Sequence, residues 1–478
     1  MKRRLLVGCV AAIALLAGTL GRRVLAAPQG TGDSLSLPSD AQIREILVER
    51  VDVQRRNVGI VVGIVTPGGR RIIPYGRFSR DESRALTGDT VFEIGSVTKV
   101  FTSALLADMA RRGEVKLTDP VATYLPASVT VGSSNGRTIT LADLATHTSG
   151  LPFWPSNVPA TRDGALSMAN YTEAQLFQFV SGFQVPEHIG SKWAYSNVDA
   201  GLLGLALARR TDTTYESLLR GRVTGPLGMD STSVAVLPEM KARVAVGYDA
   251  ELQAAPAWVV PTLAGAGGLH SSTNDLLTFL ASLDGDRSPL EGVLTTMLET
   301  RRPGPGIPQA LGWWIVATGP GDDGIVTHDG GTLGFASSIA YDSKTRTGVA
   351  VLSNTVNGVG DIARHLLRPV IPLTKPAGAA PHKTEITLDP ALFDRYAGRY
   401  EPAPNVAFTV SREGDALMIE LPGVPKLRLR PESERAFFVA ENTRVTVTFE
   451  ADADGKVARL VLRSPDGETR AARVQGRR

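Results

Sequence analysis

Ser96-Val97-Thr98-Lys99 opens a helix-forming apolar stretch that ends at Gly113. Because an α-helix turns about once every 3.6 residues, the side chains of Ser96 and Lys99 share one helix face. The helix N-terminus offers free backbone N–H groups and a favourable dipole to negative charge near Ser96. A buried lysine beside a serine can lose its proton and act as its base. The pair therefore predicts a serine acyl-transfer site without a catalytic histidine, although chance also produces such pairs.

Two further clusters carry polar groups suited to the same chemistry. Tyr195-Ser196-Asn197 precedes a small-residue helix, where Asn197 would also suit an N-cap. His328-Asp329-Gly330-Gly331-Thr332 stands at the end of a predicted strand. Paired glycines bring a backbone close to a ligand and free an N–H for it, although they more often form a plain turn. Each cluster alone is a weak indication, and their combination is what points to a function.

In this order the three clusters resemble the penicillin-recognising serine hydrolases, above all the class C β-lactamases and DD-peptidases. The resemblance spans residues 43–370 and includes the stretches Glu93–Lys99, Leu144–Pro152, Pro226–Met229, Ala264–Leu269 and His328–Thr332. It implies an α+β fold of the β-lactamase/transpeptidase type, with an antiparallel sheet flanked by helices and a helical lobe. Strand patterns at both ends of this region, with helical patterns between them, favour the same architecture.

The resemblance also implies a role for each motif residue. Ser96 would be the acylated nucleophile, and Lys99 its neighbouring base. Tyr195 would carry the proton to the leaving nitrogen, either as a phenolate or through Lys99. Asn197 would hydrogen-bond the substrate amide and Lys99. The backbone N–H groups of Ser96 and Gly331 would form the oxyanion hole.

One position departs from the family's pattern. The third motif usually opens with a lysine that attracts the substrate carboxylate, and here it opens with His328. Because an exposed histidine is mostly neutral near pH 7, carboxylate recognition would be weaker or pH-dependent. Relatives with esterase, aminopeptidase or penicillin-binding activity also carry histidine there. Together with Asn197, the expected substrate-binding residues are His328, Gly330 and Gly331.

The chain is long enough for two domains. A charged start, an apolar stretch and a small-residue exit predict a signal peptide over residues 1–26. A retained membrane anchor is the alternative. The hydrolase domain is expected over 27–370, a Pro/Ala/Gly-rich linker over 371–387 and a small all-β barrel over 388–478. The barrel segment resembles an appendage found on many members of the wider family. The protein is therefore expected to be periplasmic or secreted, with no stable membrane span after processing.

The composition excludes several other classes of function. With 51 basic and 48 acidic residues, the charge is nearly balanced and gives no reason to expect a nucleic-acid partner. Cys9 is the only cysteine and lies in the predicted signal peptide, which argues against disulfides and cysteine-bound zinc. The six histidines show no metal-ligand spacing, so neither a metal nor a cofactor is expected. His147 is interpreted as structural, and the literal Gly-x-Ser-x-Gly match at residues 132–136 as a turn.

Three functions remain open. The first is a serine hydrolase that forms an acyl-enzyme on Ser96 and hydrolyses β-lactam amides or D-alanyl peptides. The second is a carboxylesterase of broad specificity on the same site, and the third is a penicillin-binding receptor that acylates without turnover. The expected partner in every case is a small-molecule or peptide substrate: a β-lactam, a D-alanyl peptide or an ester.

Overall fold

The computed structural model describes residues 37–159, 168–185, 188–283, 288–304, 307–319, 322–374, 383–403, 406–421, 426–440, 442–452, 454–464 and 467–474. Contacts divide the chain into a larger unit, residues 32–374, and a smaller one with residues 1–31 and 375–478. The predicted signal peptide lies outside the described residues. Within the described part of the chain, no helix has the length and apolar character needed to cross a membrane. The boundaries of the signal peptide and linker stay predictions.

The larger unit is built from short helices and an antiparallel sheet. Its described helices are α1 (Asp40–Val48), α2 (Thr98–Arg111), α3 (Leu141–Ala145), α4 (Glu173–Gly182), α5 (Asn197–Arg210), α6 (Tyr215–Leu219), α7 (Ala264–Gly267), α8 (Thr273–Ser282), α9 (Val293–Glu299) and α10 (Gly360–Leu367). Its described strands are β1 (Gly59–Thr66), β2 (Gly69–Ser79), β3 (Glu82–Ala85), β4 (Val91–Glu93), β5 (Ser133–Ser134), β6 (Arg137–Thr138), β7 (His270–Ser272), β8 (Gln309–Ala310), β9 (Trp313–Val316), β10 (Ile325–Gly331), β11 (Ala336–Asp342) and β12 (Thr347–Ser353).

The main sheet joins the two ends of this unit. Its strand order is β3-β2-β1-β12-β11-β10-β9-β8, and neighbouring strands pair antiparallel. Successive side chains of a strand point to opposite faces. In β1, Val61 and Val65 therefore enter one core, while Ile60, Val62 and Ile64 enter the other. Both faces are covered by helices, which confirms the predicted α+β architecture.

Helix α2 runs through the larger of the two cores. Every residue from Thr98 to Met109 is buried, so the helix is enclosed on all sides. The smaller core, on the opposite sheet face, receives Ile43 from α1 and Leu366 from α10. Because α2 is enclosed from its first turn onward, a lysine at its second position is held away from water.

The smaller unit contains a closed antiparallel barrel, as predicted. Its strands are β13 (Gly398–Ala403), β14 (Val406–Glu413), β15 (Ala416–Glu420), β16 (Leu427–Pro431), β17 (Ala436–Val439), β18 (Asn442–Ala451), β19 (Val457–Ser464) and β20 (Gly467–Val474). They pair in chain order, and β13 closes the barrel against β20. In β16, Leu427 and Leu429 are buried while Arg428 and Arg430 are exposed, the alternation expected of a barrel wall.

The literal Gly-x-Ser-x-Gly match forms a turn, in agreement with the sequence interpretation. Strands β5 and β6 make a hairpin whose two connecting residues are Asn135 and Gly136. Both have positive φ, 51° and 74°, as a two-residue hairpin turn of this kind requires. Ser134 therefore lies in a hairpin and not on the strand–helix elbow of a nucleophile.

A buried ion pair fixes the edge of the smaller core. Arg50, in the turn that continues α1, pairs with Asp361 at the start of α10, and their side chains are 3% and 7% exposed. Asp361 also accepts the backbone N–H of Thr374 at 2.7 Å. Breaking a buried pair leaves a charge without compensation.

We expect Asp361→Ala to lower the free energy of unfolding by about 3–5 kcal/mol, because Arg50 would stay buried without its partner. Urea unfolding followed by circular dichroism measures the change. Glu82→Ala is the matched control, since its pair with Arg84 is about half exposed and should contribute about 1 kcal/mol or less. Equal losses in the two variants would contradict the importance given to the buried pair.

Candidate active site

Ser96 lies in a tight turn that leads into α2. Residues Gly95–Val97 form one turn of 3-10 helix, and Ser96 is partly exposed while its neighbours are buried. Gly95 has φ +48°, a conformation that favours glycine. A Cβ there would also stand 2.5 Å from the carbonyl oxygen of Gly331. The turn thus needs glycine both for its backbone angle and for the close approach of β10.

The Lys99 amine has three partners at hydrogen-bonding distance. Its Nζ lies 3.0 Å from Ser96 Oγ, 2.8 Å from Asn197 Oδ1 and 2.6 Å from the carbonyl oxygen of Ala266. A neutral amine has two N–H donors and one lone pair. The two oxygens of Asn197 and Ala266 can only accept, so in the neutral amine the lone pair is left to face Ser96 Oγ. The contacts therefore suit a base that takes the serine proton.

Burial controls the charge of this amine. Lys99 is 2% exposed. Loss of solvation lowers the pKa of Lys99 well below its ordinary value, and a negative charge on Asp199 would be a smaller effect in the opposite direction. The pKa of a free lysine is about 10.4, at which almost no neutral amine exists near pH 7. The buried position is therefore what makes base chemistry by Lys99 accessible.

The Tyr195 phenol stands over the same pair. It is 6% exposed, its ring centroid is 4.8 Å from Lys99 Nζ, and its hydroxyl is hydrogen-bonded to Ser96. Burial raises the pKa of Tyr195 above its ordinary value, and the Ser96 hydrogen bond only partly offsets this. The resemblance allowed either a phenolate or a route through Lys99. The environment favours the neutral phenol and hence the route through Lys99.

Asn197 does not cap α5, in contrast to the structural alternative considered from the sequence. The N-cap is Ser196, whose Oγ accepts the N–H of Asp199 at 3.0 Å. Asn197 is the first helical residue, and its amide oxygen is taken by Lys99. The short hydroxyl of Ser196 does the capping, which leaves the amide of Asn197 for the site.

Strand β10 brings the glycine pair against the serine turn. A Cβ on Gly330 would stand 2.1 Å from the carbonyl oxygen of Ile94 and 2.3 Å from Ser337 Oγ. It would also lie 3.1 Å from the backbone nitrogen of Ser96. Ser337 Oγ donates to that Ile94 oxygen at 2.7 Å, which ties β11 to the same turn. Any side chain at Gly330 would therefore force the strand away from Ser96.

The ladder pattern sets the direction of the Gly331 N–H. Thr332 N–H donates to Phe335 O at 3.0 Å, so the next pair, Gly331 with Ala336, is of the non-hydrogen-bonded kind. The N–H and C=O of Gly331 consequently point away from β11. On that side β9 pairs only as far as Thr327, and Gly95 lies against Gly331. The Gly331 N–H is thus directed to the side on which Ser96 lies.

His328 is buried, and its treatment as an exposed residue in the sequence analysis was wrong. It is 1% exposed and stacks on Trp314, with ring centroids 4.7 Å apart. Burial, with a smaller contribution from Lys99, lowers the pKa of His328 to about 4. Its Nδ1 lies 2.8 Å from the carbonyl oxygen of Asp329, which can only accept, so Nδ1 carries the proton. The neutral ring then has an unprotonated Nε2.

An aromatic cluster surrounds Tyr195, and the sequence analysis missed most of it. Ring centroids are 4.4–6.5 Å apart for the pairs His147–Tyr195, Phe153–Trp154, Phe153–Tyr195, Trp154–Trp258, Trp193–Tyr195 and Tyr195–Trp314. The chain has only five tryptophans, and four belong to this cluster. The signal available in the sequence was that Trp154 and Trp193 lie within two residues of stretches already singled out.

His147 takes a supporting position in this cluster, as its structural interpretation predicted. It is 4% exposed, and its Nδ1 accepts the N–H of Ser196 at 3.3 Å. Burial lowers the pKa of His147 well below its ordinary value. Among the described residues, no group of three or more His, Cys, Asp or Glu side chains is placed to hold a metal ion.

Comparison with known proteins supports the resemblance to the β-lactamases and DD-peptidases. The β-lactamase family model matches residues 43–369, and a domain of unknown function, DUF3471, matches residues 382–475. The D-alanyl-D-alanine-carboxypeptidase/endopeptidase AmpH of Escherichia coli (strain K12) is 30% identical, over 63% of this chain and 83% of that protein. A β-lactamase of Pseudomonas fluorescens is 27% identical, over 66% of this chain and 93% of that protein.

A solved structure agrees with these sequence relatives. The β-lactamase/D-alanine carboxypeptidase of Yersinia pestis, complexed with citrate, aligns with a TM-score of 0.60 and 25% identity, over 70% of this chain and 97% of that one. The family match covers more than half of the chain and includes all three motifs. The chain therefore belongs to the β-lactamase family, and it is a serine hydrolase of the β-lactamase/D-Ala-D-Ala carboxypeptidase type.

Proposed function

We propose that this protein is secreted and forms an acyl-enzyme on Ser96, hydrolysing the amide bond of a D-alanyl peptide or a β-lactam. The observation that carries the proposal is the position of Lys99 Nζ, 3.0 Å from Ser96 Oγ and held by two acceptors. The relatives, a D-alanyl-D-alanine carboxypeptidase/endopeptidase and a β-lactamase, suggest the substrate class. Secretion rests on the predicted signal peptide.

Acylation begins with proton transfer from Ser96 to Lys99. As the Oγ–H bond breaks, Oγ forms a bond to the substrate carbonyl carbon, and the carbonyl electrons move to its oxygen. The backbone N–H groups of Ser96 and Gly331 stabilise this oxyanion. The oxygen of the Asn197 side-chain amide is bound to Lys99, and its NH2 group is left to hydrogen-bond the substrate amide.

Collapse of the tetrahedral intermediate requires a proton on the leaving nitrogen. Lys99, now an ammonium, passes its proton through the Tyr195 hydroxyl to that nitrogen as the C–N bond breaks. A phenol with a raised pKa suits this relay, because it gives up one proton only as it gains another. Water then attacks the acyl-enzyme by the same proton route, which restores Ser96.

Esters are the second candidate substrate class, and the state of His328 favours them. With a pKa of about 4, His328 carries no positive charge near pH 7 with which to attract a carboxylate. An ester also needs no protonated amine as its leaving group. A receptor that is acylated by a penicillin and does not release it is the third candidate. The comparison of four substrates described next distinguishes it from the two hydrolases.

A four-substrate comparison tests the proposal. We expect the mature protein to cleave a D-Ala-D-Ala peptide or a chromogenic cephalosporin, and Ser96→Ala to reduce every activity below detection. Ser134→Ala, in strand β5 of the β5–β6 hairpin, is the matched control and should change none. A fluorescent penicillin and a p-nitrophenyl ester complete the set.

The pattern of results distinguishes the candidates. A stable penicillin label without turnover identifies a receptor, and rapid ester cleavage with both amides inert identifies an esterase. Activity that persists in Ser96→Ala would refute the assignment of Ser96 as the nucleophile.

The glycine pair gives a second test. We expect Gly330→Ala to lower kcat/KM about 100-fold or more, because its Cβ would displace β10 and with it the Gly331 donor of the oxyanion hole. Gly221→Ala is the control, since a Cβ there meets no atom within 4 Å. Steady-state kinetics on the best substrate measures both. Near-normal kcat/KM in a folded Gly330→Ala protein would exclude this oxyanion hole.

The charge of His328 is tested with two substrates that share an acyl group and differ in the leaving group, D-alanine or D-alaninamide. Because His328 gains a proton only as pH falls toward about 4, we expect the ratio of their kcat/KM values to be flat from pH 5 to 8. His328→Lys should raise the relative preference for D-alanine about tenfold, since a hydrogen bond to a charged group contributes about 1.5–3 kcal/mol. A wild-type ratio that climbs severalfold toward pH 5 would show a protonated His328.

A further inference from the structure

Asp199 is a buried acid that the proposed reaction does not use. It is the third residue of α5, two positions after Asn197, and it is 0% exposed. Its Oδ1 accepts a hydrogen bond from Ser149 Oγ. Its Oδ2 is buried and has no hydrogen-bond partner among the described residues. A buried carboxylate oxygen without a donor is costly if it is charged.

His147 does not supply the positive charge that would balance an ionised Asp199. His147 Nδ1 lies 3.7 Å from Asp199 Oδ2, beyond hydrogen-bonding distance. That same Nδ1 accepts the N–H of Ser196, so it carries no proton of its own. His147 is therefore the neutral tautomer, and the pair is not an ion pair.

Lys99 does not compensate Asp199 either. Its Nζ is already occupied by Ser96 Oγ, Asn197 Oδ1 and Ala266 O, and an amine has only three positions for such partners. The other ionisable group whose charge reaches Asp199 is Asp143 of α3, which carries the same sign. Every neighbouring charge other than Lys99 thus opposes ionisation of Asp199.

The N-terminus of α5 acts in the opposite sense, because it favours negative charge in the first helical turn. Its effect is typically about 0.3–1 kcal/mol and at most about 2 kcal/mol. Removing a carboxylate from water costs several kcal/mol, so burial outweighs the helix. In agreement with this, burial raises the pKa of the Asp199 carboxyl well above its ordinary range.

We propose that Asp199 is a protonated positioning residue that joins the His147–Ser149 loop to α5 and leaves Lys99 without a counter-ion. In this state the Asp199 carboxylic acid holds Ser149 while presenting no charge to the amine. Lys99 then keeps the neutral form that the reaction needs. The inference rests on the proposed role of Lys99 as base, and it adds a neighbouring group whose neutral state leaves the effect of burial on that base unopposed.

The kinetic test compares Asp199→Asn with Asp199→Ala. Asn keeps the shape and lacks the charge, so we expect the acid limb of the kcat/KM–pH profile, which reports the free base, to stay within about 0.3 pH units of wild type. Asp199→Ala removes the Ser149 partner and should lower kcat/KM about tenfold or more. If Asp199 is charged in the wild type, the Asn variant loses an opposite charge beside Lys99, and the acid limb moves down by about one unit or more. That shift would overturn the proposal.

Infrared spectroscopy tests the protonation directly and needs no turnover. The difference between wild type and Asp199→Asn at pH 7 should contain the band of a protonated carboxyl. Asp108→Asn is the matched control: Asp108 is buried but paired with Arg112 and Arg222, so its difference should contain carboxylate bands alone. Carboxylate bands alone in the Asp199 difference would refute the inference.

Labelling covers the case in which Asp199→Asn does not fold. Wild-type protein carrying 13C at the aspartate carboxyls should show an isotope-shifted protonated-carboxyl band at pH 7, and absence of any such band would also refute the inference. If Ser96 proves not to be the nucleophile, the proposed function fails while these spectra still decide the state of Asp199.

Discussion

The site depends on one constraint: a lysine amine enclosed in protein and held by two oxygens that can only accept. Asn197 Oδ1 and Ala266 O take the two N–H groups that a neutral amine possesses, which directs its lone pair to Ser96 Oγ at 3.0 Å. In water the same amine would hold its proton firmly near pH 7. Enclosure of α2 on all sides removes that water. The packing of the larger core around α2 is therefore what makes the serine reactive.

The remaining parts of the site follow from how closely other elements approach this amine. The glycine at position 95 has an angle that few other residues adopt, and the one at position 330 leaves no room for a side chain. Together they let β10 lie against the serine turn. On the opposite side, capping by Ser196 frees the Asn197 side chain for the amine. The groups closest to the serine are neutral or favour the neutral form. The charges that develop during the reaction are therefore confined to the amine and the oxyanion.

The sequence predicted the parts of this arrangement that local patterns encode. The helix that begins at the serine motif, the antiparallel sheet and the barrel all follow from periodicity and turn residues, and the three motifs carry the family relationship. The burial of His328 could not be predicted, because it depends on Trp314 of a neighbouring strand stacking on its ring. Likewise, the choice between Ser196 and Asn197 as N-cap depends on a long-range contact with Lys99, 98 positions away in the chain.

The ionisation state of Lys99 is the quantity on which the account rests, and nuclear magnetic resonance of the labelled lysine side chains measures it directly. The Lys99 signal is assigned by its absence from Lys99→Ala. The account predicts a neutral Nζ at pH 7 that takes up a proton only as the solution is made more acidic. An Nζ that stays an ammonium from pH 5 to 9 would contradict it, because the serine would then have no base.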